Sequence, residues 1–447
     1  MKTGTKKAAG FFGKNSHIET VEAFVVDVNG VLRGKWVPRA GMKKIIQSGL
    51  RLPLSAFAPD IWGNDVPDNG LIKETGDNDG VCYIVPESFH PVPWLKDTAQ
   101  ILLGMNFFGD PRQVLSHVLS LYKKEGLTPV VAAELEFYLL DAAPDEMGAP
   151  QPPVIPSTRR RTNSAQTYSL AETQSFRKTL ADINRFCHAQ GIPTDTTISE
   201  NGPGQYEINL VHEADALAAA DHAVLMKRVI RGVAHRDGMA ATFMAKPYAD
   251  KSGSGMHVHF SILDKKGRNI FSGKDFKGSP ALRYAIGGLM TTMPDNMAIL
   301  APNANSYRRF KAGSAAPTKI TWGYDNRSTA LRVPQSDMES TRIEHRVAGA
   351  DVNPYLVFAV ILAGALEGIK KKINPHAPVK GNAYDSKAPL LPSSWENALN
   401  IFESSKFIDR YIGKKYKKLY LACKQQEKEL LEAQVSSVEH DAYLRDI

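Results

Sequence analysis

Residues 133–139 read Ala133-Glu134-Leu135-Glu136-Phe137-Tyr138-Leu139. In a strand, residues i and i+2 share a face, so Glu134 and Glu136 point one way while Leu135 and Phe137 point the other. A single Glu-x-Glu reads as a solvated face. Three further segments change that reading: Glu200-Asn201-Gly202-Pro203-Gly204-Gln205-Tyr206-Glu207, His257-Val258-His259, and Arg342-Ile343-Glu344-His345-Arg346. Glu134 and Glu136 sit inside an apolar strand, where unpaired carboxylates are costly. His257, His259 and Ser261 oppose Met256, Val258 and Phe260 in the same alternating way. Carboxylates, imidazoles and guanidiniums gathered like this can hold divalent metals and a polyphosphate together. Glu and His ligands without Cys suit Mg²⁺ or Mn²⁺ better than a structural Zn²⁺ site.

Working outward, residues 128–141 form the strand that carries the first pair. Asp110-Pro111 predicts a helix with Pro at its first position, an apolar stripe of Leu115, Val118, Leu119 and Tyr122, and an end at Gly126. Further on, helices are expected at 172–190 (closed by Gly191), 214–236 and 281–300, and from the Asn353-Pro354 start to 367. A strand is expected at 205–211, another ends at Phe260, and a charged helix runs from 419 onward. Residues 142–161 are a Pro-rich loop carrying Arg159, Arg160 and Arg161. Before residue 106 the character differs. Residues 21–36 read as a hairpin around Asn29-Gly30, and residues 50–105 as short strands and loops. The expected organisation is a loose basic tail at 1–17, a small β-rich domain at 18–105 and a larger α+β domain at 106–447.

The chain has 447 residues, 43% of them hydrophobic and 23% charged, with a net charge of +8. That length allows two domains or one large one. The cations are dispersed. The densest run, Lys414 to Lys418, reads as a solvated helix face, and nothing resembles a basic-aromatic nucleic-acid surface. The positive sign favours anionic substrates such as nucleotides. Cys82, Cys187 and Cys423 form no CxxC pair and no disulfide framework, which fits a reducing compartment. The apolar run 356–366 is too short to cross a bilayer and reads as a core helix. No apolar stretch follows the charges of the first seven residues, so no secretory signal is expected. The expected location is cytoplasmic, with no membrane partner.

Arginines concentrate between Arg308 and Arg346: Arg308, Arg309, Arg327, Arg332, Arg342 and Arg346. The guanidinium fork suits carboxylate and phosphate, although any single one also reads as a surface ion pair. There is no GxxxxGK[ST] loop, no GxSxG elbow and no Cys/His nucleophile pattern.

At these segments the chain resembles the glutamine synthetase superfamily. The resemblance is carried by Asp27-Val28-Asn29-Gly30-Val31-Leu32-Arg33-Gly34-Lys35, by 133–141, by 201–209, by the run from Gly253 through Gly255-Met256-His257-Val258-His259-Phe260, by Pro302-Asn303-Ala304-Asn305-Ser306-Tyr307-Arg308-Arg309-Phe310 and by 342–346. The motifs run in family order from about residue 20 to 370. The resemblance implies an α+β fold: an N-terminal β-grasp domain, then a catalytic domain with an antiparallel sheet flanked by helices. It also implies a homo-oligomer of stacked rings, a dodecamer, with sites shared between neighbours. The implied reaction uses ATP to phosphorylate the γ-carboxylate of glutamate, and an amine then displaces phosphate. By position, Glu136, Glu200 and Glu207 would hold one Mg²⁺ or Mn²⁺ ion and Glu134, His257 and Glu344 another. His259 and Ser261 would touch the nucleotide. Gly253 and Arg309 would contact glutamate, with Arg346 on its carboxylate. Arg327, Arg332 and Arg342 would steady the phosphates. Arg309, Arg327 and an acid of the small domain, Asp60 or Asp65, would be catalytic.

Departures from the family pattern matter equally. Ammonia-using members carry a Glu in the flap after the Arg309 motif, which helps form the ammonium pocket. Here that position is Ala315. Ser252 stands where an Asn precedes the glutamate-binding Gly, and Glu339 where a Lys precedes the Arg342 motif. Alanine neither takes a proton nor attracts a cation. Together with Ala245-Lys246-Pro247-Tyr248 and Trp322-Gly323-Tyr324-Asp325-Asn326-Arg327, this resembles the γ-glutamylpolyamine (γ-glutamylputrescine) synthetase branch. The resulting reading is an ATP-dependent glutamate–amine ligase using putrescine or another polyamine in amine catabolism. Competing readings are a glutamine synthetase using ammonia, a ligase for a monoamine or ethanolamine, and a non-catalytic ring paralogue. Tyr384 lies roughly where some family members are adenylylated, but its surroundings differ.

Overall fold

Two sheets organise the chain. The structure, a computed structural model, describes residues 10–162, 166–445 and 447. The first sheet is built from β1 (Thr20–Val26), β2 (Leu32–Pro38), β3 (Leu50–Pro53), β4 (Asp79–Ile84), β5 (His90–Pro91) and β6 (Thr98–Met105), with helix α1 (Met42–Ser48). Its order is β2-β1-β6-β4-β3, with β5 on β6. β1 and β2 form the expected hairpin. The turn between them closes on Asp27, whose carboxylate accepts from the backbone N–H of Asn29 and Val31 and from Arg33 Nε. β6 then pairs parallel with β1, and alternate residues (Val21, Ala23, Val25, Ile101, Leu103) meet Met42 and Ile45 in a small core. This is the β-grasp arrangement.

The tail divides. Residues 1–9 lie outside the described residues. Residues 10–17 are docked rather than loose: Phe11 stacks on Phe89 with ring centroids 4.1 Å apart, and Arg39 donates to the carbonyls of Phe12 and Ser16. The two aromatic rings, which the basic tail hides in sequence, supply the reason.

From α2 (Pro111–Glu125), capped by Asp110 and ended at left-handed Gly126, the larger unit forms around β7 (Thr128–Asp141). The remaining strands are β8 (Thr194–Ser199), β9 (Gln205–Leu210), β10 (Met239–Thr242), β11 (Met256–Leu263), β12 (Trp322–Tyr324), β13 (Leu331–Val333) and β14 (Ile343–His345). The sheet order is β12-β13-β14-β11-β7-β9-β8, with β10 on the far end of β7. All pairs are antiparallel except β12 with β13. The helices are α3 (Leu170–Ser175), α4 (Arg177–Ala189), α5 (Ala216–Arg236), α6 (Pro280–Leu300), α7 (Pro354–Lys371), α8 (Trp395–Ser404), α9 (Lys414–Glu432) and α10 (Ser437–Tyr443). No helix among the described residues is long and apolar enough to cross a membrane.

Three expectations need adjusting. The single helix over 172–190 is two, broken at Phe176, whose non-helical backbone lets its ring bury at 2% exposure against Tyr206. The His strand runs past Phe260 to Leu263, because Ser261 and Ile262 continue the ladder with β7. The C-terminal helix starts at Lys414, directly after Gly413 at φ +96°. There Tyr416 turns inward while Lys414, Lys415 and Lys418 stay exposed, as expected for a solvated face.

Helices α6 and α7 pack backbone to backbone through glycines. An added Cβ on Gly368 would lie 2.1 Å from the Tyr284 carbonyl oxygen, and one on Gly288 2.2 Å from that of Gly364. Gly368→Ala is therefore expected to destabilise the fold by about 1–3 kcal/mol through overpacking, seen as a lower urea midpoint. Gly10→Ala, whose added methyl group would have nothing within 4 Å, leaves the midpoint unchanged.

Candidate functional site

Strand register brings the separate segments into one row. Glu134 on β7 faces His257 on β11, Glu136 faces Glu207 on β9, His259 faces Glu344 on β14, and Glu344 faces Arg332 on β13. Directly opposed residues share a face of the sheet, so all seven side chains project together. The reverse face is apolar: Ala133, Leu135, Phe137, Ile208, Val258, Phe260 and Ile343 are buried. The Gly-Pro-Gly turn brings in Glu200 by lying flat on β7. A Cβ on Gly202 would meet Tyr138 Oη at 1.9 Å, and Gly204 has φ +75°.

Distances within the row are short. His257 Nδ1 is 3.4 Å from Glu134 Oε2 and 3.8 Å from Glu344 Oε1, and its Nε2 is 3.9 Å from Glu136 Oε1. His259 Nε2 is 3.0 Å from Glu134 Oε1. Arg332 donates to Glu344 at 2.8 Å, and Arg346 pairs with its other oxygen. Among the described residues two overlapping groups bring ligand atoms within 4.8 Å of one another: Glu134, Glu207 and His257, and Glu134, His259 and Glu344.

The electrostatics divide the row. Burial, and then the neighbouring Glu200, push Glu136 up to about 7. Burial and four surrounding carboxylates push Glu207 well above the ordinary range, and burial raises Glu200. Burial acts on Glu344 in the same direction, but Arg346, His257 and His259 outweigh it and hold that carboxyl at about 2. Glu134 is likewise lowered, its burial overcome by hydrogen bonds from His257 and His259. On the Glu136–Glu200–Glu207 side the ionised forms are therefore disfavoured until a cation offsets them. Carboxylate oxygens and imidazole nitrogens are the donor set for Mg²⁺ or Mn²⁺, so these residues fit such an ion.

Beside the row lies a cleft of about 660 Å³. Glu136, Gly253, Arg309 and Arg346 line it, together with segments 249–253 and 311–316. Arg309, 4% exposed, donates to the Val347 carbonyl at 3.0 Å. A Cβ on Gly253 would sit 2.5 Å from Arg309 Cγ, and one on Gly255 3.1 Å from its terminal nitrogen. Both glycines thus make room for the guanidinium. The flap 311–316 turns through Gly313 (φ +78°) and Ala315 (φ +64°).

Most residues singled out from sequence meet here. His259 lies closer to the carboxylates than a nucleotide contact alone suggests, and Arg342 Nε approaches its Nδ1 at 3.2 Å. Ser261 follows two places on along β11. Arg327 is exposed on the β12–β13 loop, near enough for its charge to lower Glu200. Asp60 is not in this group. Its carboxylate accepts from Asn64 and from Gln426 of α9, which ties the β-grasp domain to the C-terminal helix. Sequence reasoning missed Gln205 and Asn209, which flank Glu207 on the same face and donate to Glu136 and Glu134 at 3.3 Å each. The i±2 alternation about Glu207 was the available signal. It also missed the Gly255 N–H, which donates to Glu136 at 2.9 Å.

The family model described as "Glutamine synthetase, catalytic domain" matches residues 108–443. γ-Glutamylputrescine synthetase PuuA of Escherichia coli (strain K12) is 39% identical over 449 aligned residues, covering 99% of this chain and 95% of that protein. Glutamate–isopropylamine ligase of a Pseudomonas species is 33% identical, covering 88% of each. The solved structure "GmaS/ADP complex-Conformation 1" superposes with a TM-score of 0.85 at 26% identity, covering 98% of this chain and 99% of that one.

Added Mg²⁺ or Mn²⁺ is expected to raise the thermal midpoint over that in EDTA, by about 2.7 kcal/mol of stability at roughly a hundredfold excess over Kd. Glu207→Gln should raise the midpoint in EDTA, because one repelling carboxylate is gone, and lose most of the metal-induced shift. Thermal scans of both proteins with and without metal check this. An unchanged shift in Glu207→Gln would place the ions elsewhere.

Proposed function

The chain belongs to the glutamine synthetase family, and on that premise we propose that it is an ATP-dependent glutamate–amine ligase acting on putrescine or another polyamine. The γ-carboxylate of glutamate attacks the γ-phosphorus of ATP, ADP leaves, and the amine nitrogen then attacks the acyl carbon and expels phosphate. Two divalent ions, when bound, would polarise the transferring phosphoryl group and hold the ATP phosphates. Glu136, Glu200 and Glu207 would hold one, and Glu134, His257 and Glu344 the other.

The remaining roles follow from position. Arg309 and Arg346, buried beside Gly253, would orient glutamate by its oxygens. Arg332 and Arg342, already aligned on Glu344 and His259, would steady the phosphates with Arg327, and His259 and Ser261 would lie along the nucleotide. Asp60, 0% exposed and bonded to Asn64 and Gln426, gives no support to the expected role in a neighbouring subunit's site. An assembly is supported by two large aromatic side chains that this chain leaves exposed on the β-grasp domain, Trp36 at 76% and Trp62 at 54%. A dodecamer of stacked rings is the form proposed.

The observation that carries the acceptor is Ala315. It lines the cleft with Arg309 and Arg346, where ammonia-using members present a Glu, and a methyl group leaves room for a longer amine. Both named relatives fit, since the names of PuuA and the Pseudomonas ligase specify amines larger than ammonia.

Phosphate release with Mg²⁺, ATP and glutamate, run in parallel with ammonium, putrescine, spermidine, ethanolamine and isopropylamine, is expected to be fastest with a polyamine. Ala315→Glu should lower kcat/KM for the polyamine at least about tenfold, the effect of losing roughly 1.4 kcal/mol of transition-state binding, and raise ammonium use. Best turnover with ammonium in the unaltered enzyme would overturn the acceptor assignment.

A further inference from the structure

Tyr384 stands outside every role assigned above, yet its hydroxyl reaches the flap. Tyr384 Oη donates to the Ala316 carbonyl at 2.8 Å. Ala316 is the last flap residue lining the cleft. Burial raises the Tyr384 hydroxyl pKa, while the positive charges of Arg346 and Arg309 oppose it. The ring therefore lies near the two arginines that line the cleft.

The flap itself has few holds. Inside it, Ser314 Oγ donates to the Arg309 carbonyl at 2.7 Å, and the Ser314 N–H to the Lys311 carbonyl at 3.1 Å. Lys311, Ala312, Gly313 and Ala315 are exposed. Ala315 occupies the left-handed region at φ +64°, which L-residues disfavour. A strained and exposed turn keeps its shape only when its surroundings fix it.

The short turn carrying Tyr384 is anchored on its other side. Asn382 caps it by accepting the Tyr384 N–H at 3.1 Å, and the Ala383 N–H donates to Ser328 Oγ at 2.9 Å. Asn326 donates to the Gly381 carbonyl at 2.8 Å. Asn326 and Ser328 flank Arg327. One three-residue turn therefore touches both the loop of the proposed phosphate-binding Arg327 and the end of the flap.

We propose that Tyr384 is a positioning residue that latches the flap over the cleft, joining the Arg327 loop to the wall of the amine site. The inference rests on the ligase reading. A latched flap keeps water off γ-glutamyl phosphate until the amine arrives. With the latch released, water attacks the acyl carbon, the carbon–oxygen bond to phosphate breaks with its electron pair leaving on phosphate, and glutamate is regenerated. ATP is then spent without forming amide.

Tyr384→Phe removes only the hydroxyl. In steady-state assays with ATP, Mg²⁺, glutamate and putrescine, the amine KM is expected to rise about three- to tenfold, the effect of one hydrogen bond. The ratio of phosphate released to amide formed should climb above that of the unaltered enzyme. Trypsin should also cleave faster after Lys311, with an unchanged thermal midpoint. Ser328→Ala, which frees the other end of the same turn, should move all three readouts the same way and carries the test if Tyr384→Phe does not fold. An active parent enzyme whose folded variants keep its phosphate-to-amide ratio, amine KM and cleavage rate would overturn the latch. A parent enzyme with no glutamate-dependent ATP turnover on any amine would instead overturn the ligase reading.

Discussion

Mutual repulsion among carboxylates on one face of a buried sheet is the constraint on which the rest of this structure depends. Glu134, Glu136, Glu207 and Glu344, from three segments far apart in sequence, are brought side by side by backbone register. Glu344 is 1% exposed and Glu207 6%. A carboxylate removed from water without a partner is strongly disfavoured. The chain tolerates this because the reverse of the same strands is apolar apart from His345 and the Tyr206 hydroxyl. Leu135, Phe137, Ile208, Val258 and Phe260 belong to the main core with residues of α5 and α7. The sheet is fixed from behind, so its charged face cannot relax by moving apart.

The same logic explains the helices. α6 and α7 approach through Gly288, Gly364 and Gly368, and α7 contributes buried residues along its whole first four turns. The cap of α7 does double duty. Asn353 accepts the Tyr355 N–H, and its amide donates to the Asp27 carbonyl in the β-grasp hairpin. On the other side of the junction, Lys424 and Glu427 of α9 pair with each other while also bonding to Asn29. The two domains are thus joined at the Asp27–Asn29 turn by polar groups that elsewhere would only end a helix or close a hairpin.

What the sequence made legible is what local chemistry determines. Asp110-Pro111 and Gly126 bound α2 because a cap, a fixed φ and a left-handed residue each act within a turn. The strand of 128–141 was readable because its alternation is long. β8, β12 and β13 were not: Thr194–Ser199 is largely polar, and the other two have three residues each. They are strands because neighbours hydrogen-bond them. For the site, alternation placed Glu134 with Glu136 and His257 with His259, but not which strand would lie beside which. That is why His259 turned out to sit against Glu134. Asp60 was least legible, since Gln426, 366 positions away, decides its surroundings.

The two halves of the charged row differ in what they need. Glu344 is held ionised by Arg332, Arg346 and two imidazoles whether or not a metal is present. Around Glu136, Glu200 and Glu207 the nearby cations do not outweigh burial and repulsion, which raise all three. An ion entering at Glu134, His257 and Glu344 would meet charge already balanced by arginine, so its hold would depend on imidazole nitrogen and on phosphate oxygens brought by the nucleotide. An ion entering at Glu136, Glu200 and Glu207 would displace protons from carboxyls whose ionised forms burial and repulsion disfavour. That second position adjoins the cleft of Arg309 and Arg346. An ion there would therefore be held more tightly as pH rises, whereas one at Glu134, His257 and Glu344, where arginine already balances the charge, would depend less on pH.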